Sequence, residues 1–242
     1  MNTEQLKQLE NDLWSAADNL RANTDLKSTE YAPPILGLIF LKFAENNYLR
    51  KEKEILAEFN KLKGSRREKP ISEIAIEKCG FHLPDRARYN YLLNLSGDQN
   101  VAKAIKEAME DIAKYKPELD GVLPVDAYTP LTRTDKTVPA ELLKTFSDIP
   151  SDASGDMLGK IYEYFLGKFA LAEGQGGGEF FTPTSVVRLM VEIIEPYSGK
   201  VYDPACGSGG MFVQSARFVD RHNGTGNHVV SVYGTEKETS TI

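Results

Sequence analysis

Asp203-Pro204-Ala205-Cys206-Gly207-Ser208-Gly209-Gly210 is the stretch on which the fold turns. The apolar, β-prone Val201-Tyr202 precedes it and a helical-looking run from Met211 to Val219 follows, so it reads as strand, glycine turn, helix. Open α/β sheets bind nucleotides at such a junction. Three glycines in four positions, 207 to 210, free the backbone for positive φ and let a ligand approach main-chain N–H groups. Ser208 is placed to cap the helix. Asp203 bears on what the ligand is, because a carboxylate at the strand end repels a pyrophosphate and welcomes an amino group or a cation. The dinucleotide spacing also fails, since Phe212 stands where the third glycine is required. The ligand that suits these residues is S-adenosylmethionine, with its zwitterionic amino acid end and its sulfonium cation.

A second unusual stretch, Glu179-Phe180-Phe181-Thr182-Pro183, follows a glycine-rich run from Glu173 to Gly178 and leads into a helix expected over Thr184 to Glu195. Together the two stretches resemble the modification (methyltransferase) subunit of type I restriction-modification systems, a family of adenine-N6 DNA methyltransferases. The segment from Gly155 to Ala170 is similar to the family's helix before the cofactor loop, Val232 to Glu236 is similar to its second strand, and the N-terminal segment resembles its helical domain. The resemblance implies cofactor contacts at Glu179, Phe181, Thr182, Pro183, Asp203, Pro204, Ala205, Cys206, Gly207, Ser208, Gly209 and Glu236. The resemblance also implies that Thr182 closes over the methionine end of the cofactor; beside that set, the glycine run is expected to be a flexible lid and Phe180 to pack. Glu236 follows an apolar run, Val229 to Tyr233, and a carboxylate at that point accepts both ribose hydroxyls of a nucleoside. Cys206 has no plausible His partner and stands where a small side chain is needed, which argues against a nucleophile.

Composition narrows the rest. A chain of 242 residues has room for one large domain or two small ones. Its net charge of −6 is the wrong sign for a protein that grips a duplex alone. Either DNA is not a partner, or another subunit supplies most of the grip. Cys79 and Cys206 are too far apart in sequence to suggest a disulfide or metal pair, His82, His222 and His228 are scattered, and no signal sequence is visible, so the expected compartment is the cytoplasm and no metal is expected. The apolar run Ile35 to Leu41 is far too short to span a bilayer, so no membrane partner is expected.

In chain order, Leu6, Leu9, Leu13, Ala17 and Leu20 predict an amphipathic helix over Thr3 to Ala22. Pro33 and Pro34 are expected to begin the next helix rather than lie within it. That helix is apolar on nearly all faces and should be the centre of an N-terminal bundle, continuing as a charged helix from Lys42 to Lys63. Lys61 to Pro70 is the one local concentration of positive charge, with Gly64, Ser65 and Pro70 marking a loop; it is either a solvated loop or a phosphate contact. Further helices are expected over Asn100 to Tyr115, from Pro139 to Phe146, and from Asp156. Gly121 to Pro139 reads as a long connection, which sets the expected boundary between an N-terminal helical domain, residues 1–138, and the start of the methyltransferase domain, residues 139–242.

The expected fold is therefore mixed: an α-helical bundle followed by the first part of an α/β Rossmann-like methyltransferase domain. An adenine methyltransferase also needs a loop of Asn or Asp, two prolines and an aromatic residue to receive the flipped base. The one Pro-Pro pair, Pro33-Pro34, follows Ala32, so the chain reads as the N-terminal portion of a longer protein, with no catalytic residue of its own and no activity when isolated. The resemblance implies DNA contacted mainly through a specificity subunit, together with a restriction subunit and a second modification subunit. A non-catalytic assembly module and a nucleotide-binding oxidoreductase are the competing readings.

Overall fold

The leucine spacing of the first twenty residues produces α1 (Thr3–Ala22), with Leu13 and Ala17 buried. In the computed structural model the described residues are 3–22, 28–95, 99–133, 135–153, 155–172, 182–207, 209–222 and 230–237. They fall into two compact units, Met1–Glu173 and Gly174–Ile242.

The expected start of the second helix at Pro33 is corrected, because α2 runs unbroken from Ser28 to Leu62 with Pro33 and Pro34 inside it. Each proline forgoes one N–H bond to the carbonyl four residues back. Those carbonyls, of Thr29 and Glu30, belong to the first turn, and the segment is held from outside. Tyr31 and Ile35 are buried, and the buried Tyr128 hydroxyl donates to the Pro34 carbonyl at 2.8 Å. At Gly37 the approach is closer still. A Cβ there would lie 2.5 Å from Tyr128 Oη and 2.7 Å from Pro124 Cγ, so only glycine lets this segment lie against the helix.

Beyond α2 come α3 (Ile71–Cys79), α4 (Tyr89–Leu93) and α5 (Val101–Tyr115). Asn100 caps α5 by accepting the Lys103 N–H at 3.0 Å, and Ile105, Ala108, Met109 and Ile112 supply its buried face. The expected connection from Gly121 to Pro139 contains a short helix, α6 (Tyr128–Leu131), whose Tyr128 and Leu131 are buried. The unit is completed by α7 (Val138–Ser147) and α8 (Gly155–Ala172).

The core of this unit lies around α2, which packs on α3, α7 and α8, while α1 packs on α7 and α8. Phe165 of α8 is at one centre of it, with ring centroids 5.6 Å from Trp14, 5.5 Å from Phe146 and 6.1 Å from Phe169. This packing carries the first compact unit through α8. The middle of α2 brings polar groups inward. Lys42 is buried with its ammonium 4.8 Å from the Tyr89 ring centroid, and burial pushes its pKa down against the opposing pull of Glu45. Glu45 accepts the Asn90 N–H at 3.1 Å. Asn46 and Arg50 donate to the carbonyls of Pro150 at 3.0 Å and Ala153 at 2.9 Å.

The second unit contains α9 (Thr184–Ile194), β1 (Gly199–Asp203), α10 (Gly210–His222) and β2 (Val230–Gly234). Among the described residues β1 and β2 form its sheet, paired in parallel from Gly199 opposite Val230 to Asp203 opposite Gly234. Parallel neighbours joined through a helix form a βαβ unit. The helices α9 and α10 pack together, burying Val187, Val191 and Phe218, while Leu189, Ile193 and Ile194 remain exposed. No described helix is long and apolar enough to cross a membrane.

Candidate cofactor site

Because β1 and β2 are parallel and in register, their C-terminal ends are neighbours, and the segments that follow them begin side by side. The pairing outlasts the strands: the Thr235 N–H donates to the Asp203 carbonyl at 3.0 Å, and the Cys206 N–H donates to the Thr235 carbonyl at 3.1 Å. Within the turn, Gly207 and Gly209 take φ of 52° and 81°, left-handed values that favour glycine. The Gly209 N–H closes on the Cys206 carbonyl at 2.8 Å, and the Val213 N–H to Gly209 carbonyl bond at 3.1 Å starts α10.

Both expected carboxylates converge on this turn. Asp203 Oδ1 accepts the Ala205 N–H at 3.0 Å, and Glu236 Oε2 accepts the Gly207 N–H at 2.8 Å. Glu236 Oε1 accepts from the Lys237 N–H at 2.7 Å. The N–H groups of Ala205, Cys206, Gly207 and Gly209 therefore find acceptors within the chain, whereas the sequence alone assigns the turn's N–H groups to a ligand. Proximity explains the difference, since the parallel register sets the Thr235 carbonyl and the Glu236 carboxylate within reach of the turn.

The two carboxylates at this turn, Asp203 and Glu236, carry a chemistry that suits hydroxyls and a cation and disfavours phosphate. In this respect the residues fit the nucleoside and amino acid ends of S-adenosylmethionine.

Gly234 and Thr235 are the positions that sequence reasoning passed over. A Cβ at Gly234 would lie 2.7 Å from Cys206 Sγ and 3.0 Å from the Phe212 ring, so glycine lets the turn and the first turn of α10 pack onto the end of β2. A glycine closing a strand is a readable sign of such an approach. The same contact explains why Phe212 replaces the third glycine of the dinucleotide pattern. It also gives the half-buried Cys206 a packing role. Thr235 links the two segments again through its hydroxyl, 3.1 Å from Tyr202 Oη.

Thr182 and Pro183 are exposed at the start of α9, and the Pro183 carbonyl accepts the N–H groups of Val186 at 2.9 Å and Val187 at 3.1 Å. Pro204 and Ala205 are exposed in the turn. Glu179, Phe181, Ser208 and the glycine run from Glu173 to Gly178 lie outside the described residues, as does Phe180. Among the described residues no group of His, Cys, Asp and Glu side chains is arranged to hold a metal ion.

Two family models match the chain, the HsdM N-terminal domain over residues 9–146 and the N-6 DNA Methylase family over residues 153–242. The chain is also 32% identical to the type I restriction enzyme MjaIX methylase subunit of Methanocaldococcus jannaschii, over 96% of this chain and 43% of that protein. It belongs to the family of type I restriction enzyme methylase subunits. Another methylase subunit, that of the HindI enzyme of Haemophilus influenzae, is 39% identical over 71% of this chain and 38% of its own length. The methyltransferase subunit of a type I restriction-modification system from Streptococcus thermophilus, solved as a crystal structure, shares the fold with a TM-score of 0.68 at 21% identity. That match covers 98% of this chain and 53% of the other. This methylase-family chain thus spans about half or less of the length of these relatives. The two family matches part between α7 and α8, whereas the first compact unit continues through α8.

Proposed function

We propose that this chain is the cofactor-binding portion of a modification subunit that transfers a methyl group from S-adenosylmethionine to adenine N6 in DNA. The observation that carries the reading is the convergence of Asp203 and Glu236, from the ends of adjacent parallel strands, on one glycine turn that opens a helix. That arrangement is the beginning of a Rossmann-like methyltransferase sheet. S-adenosylmethionine, when bound, supplies a methyl group already activated by its sulfonium, which leaves orientation as the protein's task. Glu236 accepts the ribose hydroxyls, and Asp203 faces the positive end of the ligand. Glu179, Phe181, Thr182 and Pro183 cover the methionine end.

The reaction also needs acceptors aimed at the exocyclic amine of a flipped adenine, whose lone pair is delocalised into the ring. This sequence holds no Asn or Asp followed by two prolines and an aromatic residue. The 242-residue chain is therefore expected to bind cofactor without methylating DNA. A specificity subunit that reads the target, a restriction subunit and a second modification subunit complete the assembly in the cytoplasm, a division of labour that suits a net charge of −6.

Titration calorimetry with S-adenosylmethionine and with NAD tests the reading. Binding of the former alone is expected. Gly207→Val should abolish it, because a β-branched residue is strained at a φ of 52° and would crowd the turn that Glu236 holds. Unchanged affinity in that variant, or a preference for NAD, would sink the assignment.

A further inference from the structure

The connection between α2 and α3 is a built turn. Gly64 ends α2 with a left-handed φ of 73°, and the Lys63 N–H still reaches the Phe59 carbonyl at 3.0 Å. Ser65 Oγ donates to the Leu62 carbonyl at 2.6 Å and accepts the Arg67 N–H at 3.2 Å. Glu68 folds back to accept the Gly64 N–H at 2.9 Å.

The charges around this turn do not balance. Between Lys61 and Lys69 stand the cations Lys61, Lys63, Arg66, Arg67 and Lys69, with Glu68 the one acid. Glu68 is turned to backbone. Lys69 is held by Glu73 at 3.1 Å and by Glu77 at 2.5 Å, while Glu58 pairs with Lys78 at 2.7 Å. The acids of the flanking helices are thus committed elsewhere. Lys63, Arg66 and Arg67 are exposed and make no ion pair with any described residue. Like charges this close in sequence repel one another, and a polyanion relieves that repulsion. Adjacent arginines carry planar forks that match phosphate oxygens.

We propose that the turn from Lys63 to Arg67 is a phosphate-contacting surface for duplex DNA, gripping the backbone without reading bases. Duplex DNA presents about one negative charge per 1.7 Å of its axis, a density that an acidic protein face rarely matches. The proposal rests on the reading of DNA as the substrate, and gives an acidic chain a local grip of its own. It assigns the N-terminal unit a part in holding the duplex.

The test titrates the 242-residue chain, and a variant carrying Lys63→Gln, Arg66→Gln and Arg67→Gln, into a labelled mixed-sequence duplex over a range of salt. The slope of log affinity against log salt should flatten by about 0.9 for each cation removed from the phosphates, about 2.7 in all. A fourfold rise in salt then costs the parent about 40-fold more affinity than the variant. A control with Lys7→Gln, Lys136→Gln and Lys144→Gln removes the same charge from other exposed positions and should keep the parent slope. Equal slopes for parent and turn variant, an equal loss in the control, or no binding by the parent overturns the proposal. So does a variant that loses affinity for a specificity subunit and none for the duplex, which would assign the turn to a protein partner. Calorimetry with S-adenosylmethionine should be unchanged in the turn variant. Failure of the parent chain to bind that cofactor would strike the functional reading and leave the salt slopes to judge the turn.

Discussion

Phe165 on α8 is fully buried, whereas Ile193 on α9 is 73% exposed. The difference runs through the two units. The first draws side chains from α1, α2, α3, α5, α7 and α8 into one core. The second, among its described residues, buries Val187, Val191 and Phe218 and leaves Leu189, Ile194, Tyr202, Val232 and Tyr233 on view. Burial stabilises by about 25 cal/mol for each Å² of apolar surface. The first unit therefore has the means to hold itself together. The described part of the second depends more on strand pairing and on its hydrogen-bonded turn.

The sharpest way to break this contrast is Phe165→Ala, which empties the meeting point of Trp14, Phe146 and Phe169. A loss of about 3–5 kcal/mol is expected. Trp14 is the one tryptophan in the chain and lies in the first unit, so its fluorescence in a urea titration reports that unit alone. A smaller loss, about 1–3 kcal/mol by the same probe, is expected for Gly37→Ala, because the added methyl meets Tyr128 and Pro124. The smallest effect belongs to Ile193→Gln. It should change the stability of the second unit by no more than about 0.5 kcal/mol, read from amide exchange along α9. A loss several times larger there would mean that this face is covered in solution, and the contrast between the units would fail.

The helices α1, α5, α7 and α9 were legible because the local signals, apolar spacing, a first-turn proline in α7 and the Asn100 cap of α5, act within a few residues of one another. The strand, glycine turn and helix around Asp203 were legible for the same reason, as was the acid after β2. Continuity of α2 through Pro33 and Pro34 was not, since it depends on Tyr128, which lies far along the chain and donates to the Pro34 carbonyl. The short α3 escaped because nine residues beside a basic loop carry too little periodicity. The packing of α7 and α8 on α1 and α2 was not legible, since sequence pattern does not reveal which helices a helix will meet. In the site, the carboxylates could be named from sequence. Their use as acceptors for the turn's own N–H groups depends on the register of β1 against β2, which sequence does not print.

The bonds from Asn46 to the Pro150 carbonyl and from Arg50 to the Ala153 carbonyl join groups 104 and 103 residues apart in the chain. During synthesis at about 5–20 residues per second, the middle of α2 waits roughly 5–20 seconds for these partners to be made. A nascent chain halted at residue 147 has the residues of α7 but neither carbonyl, so its α2 should still be open to proteases. One extended past α8 should be protected, which makes the closing of the first unit a late event in its own translation.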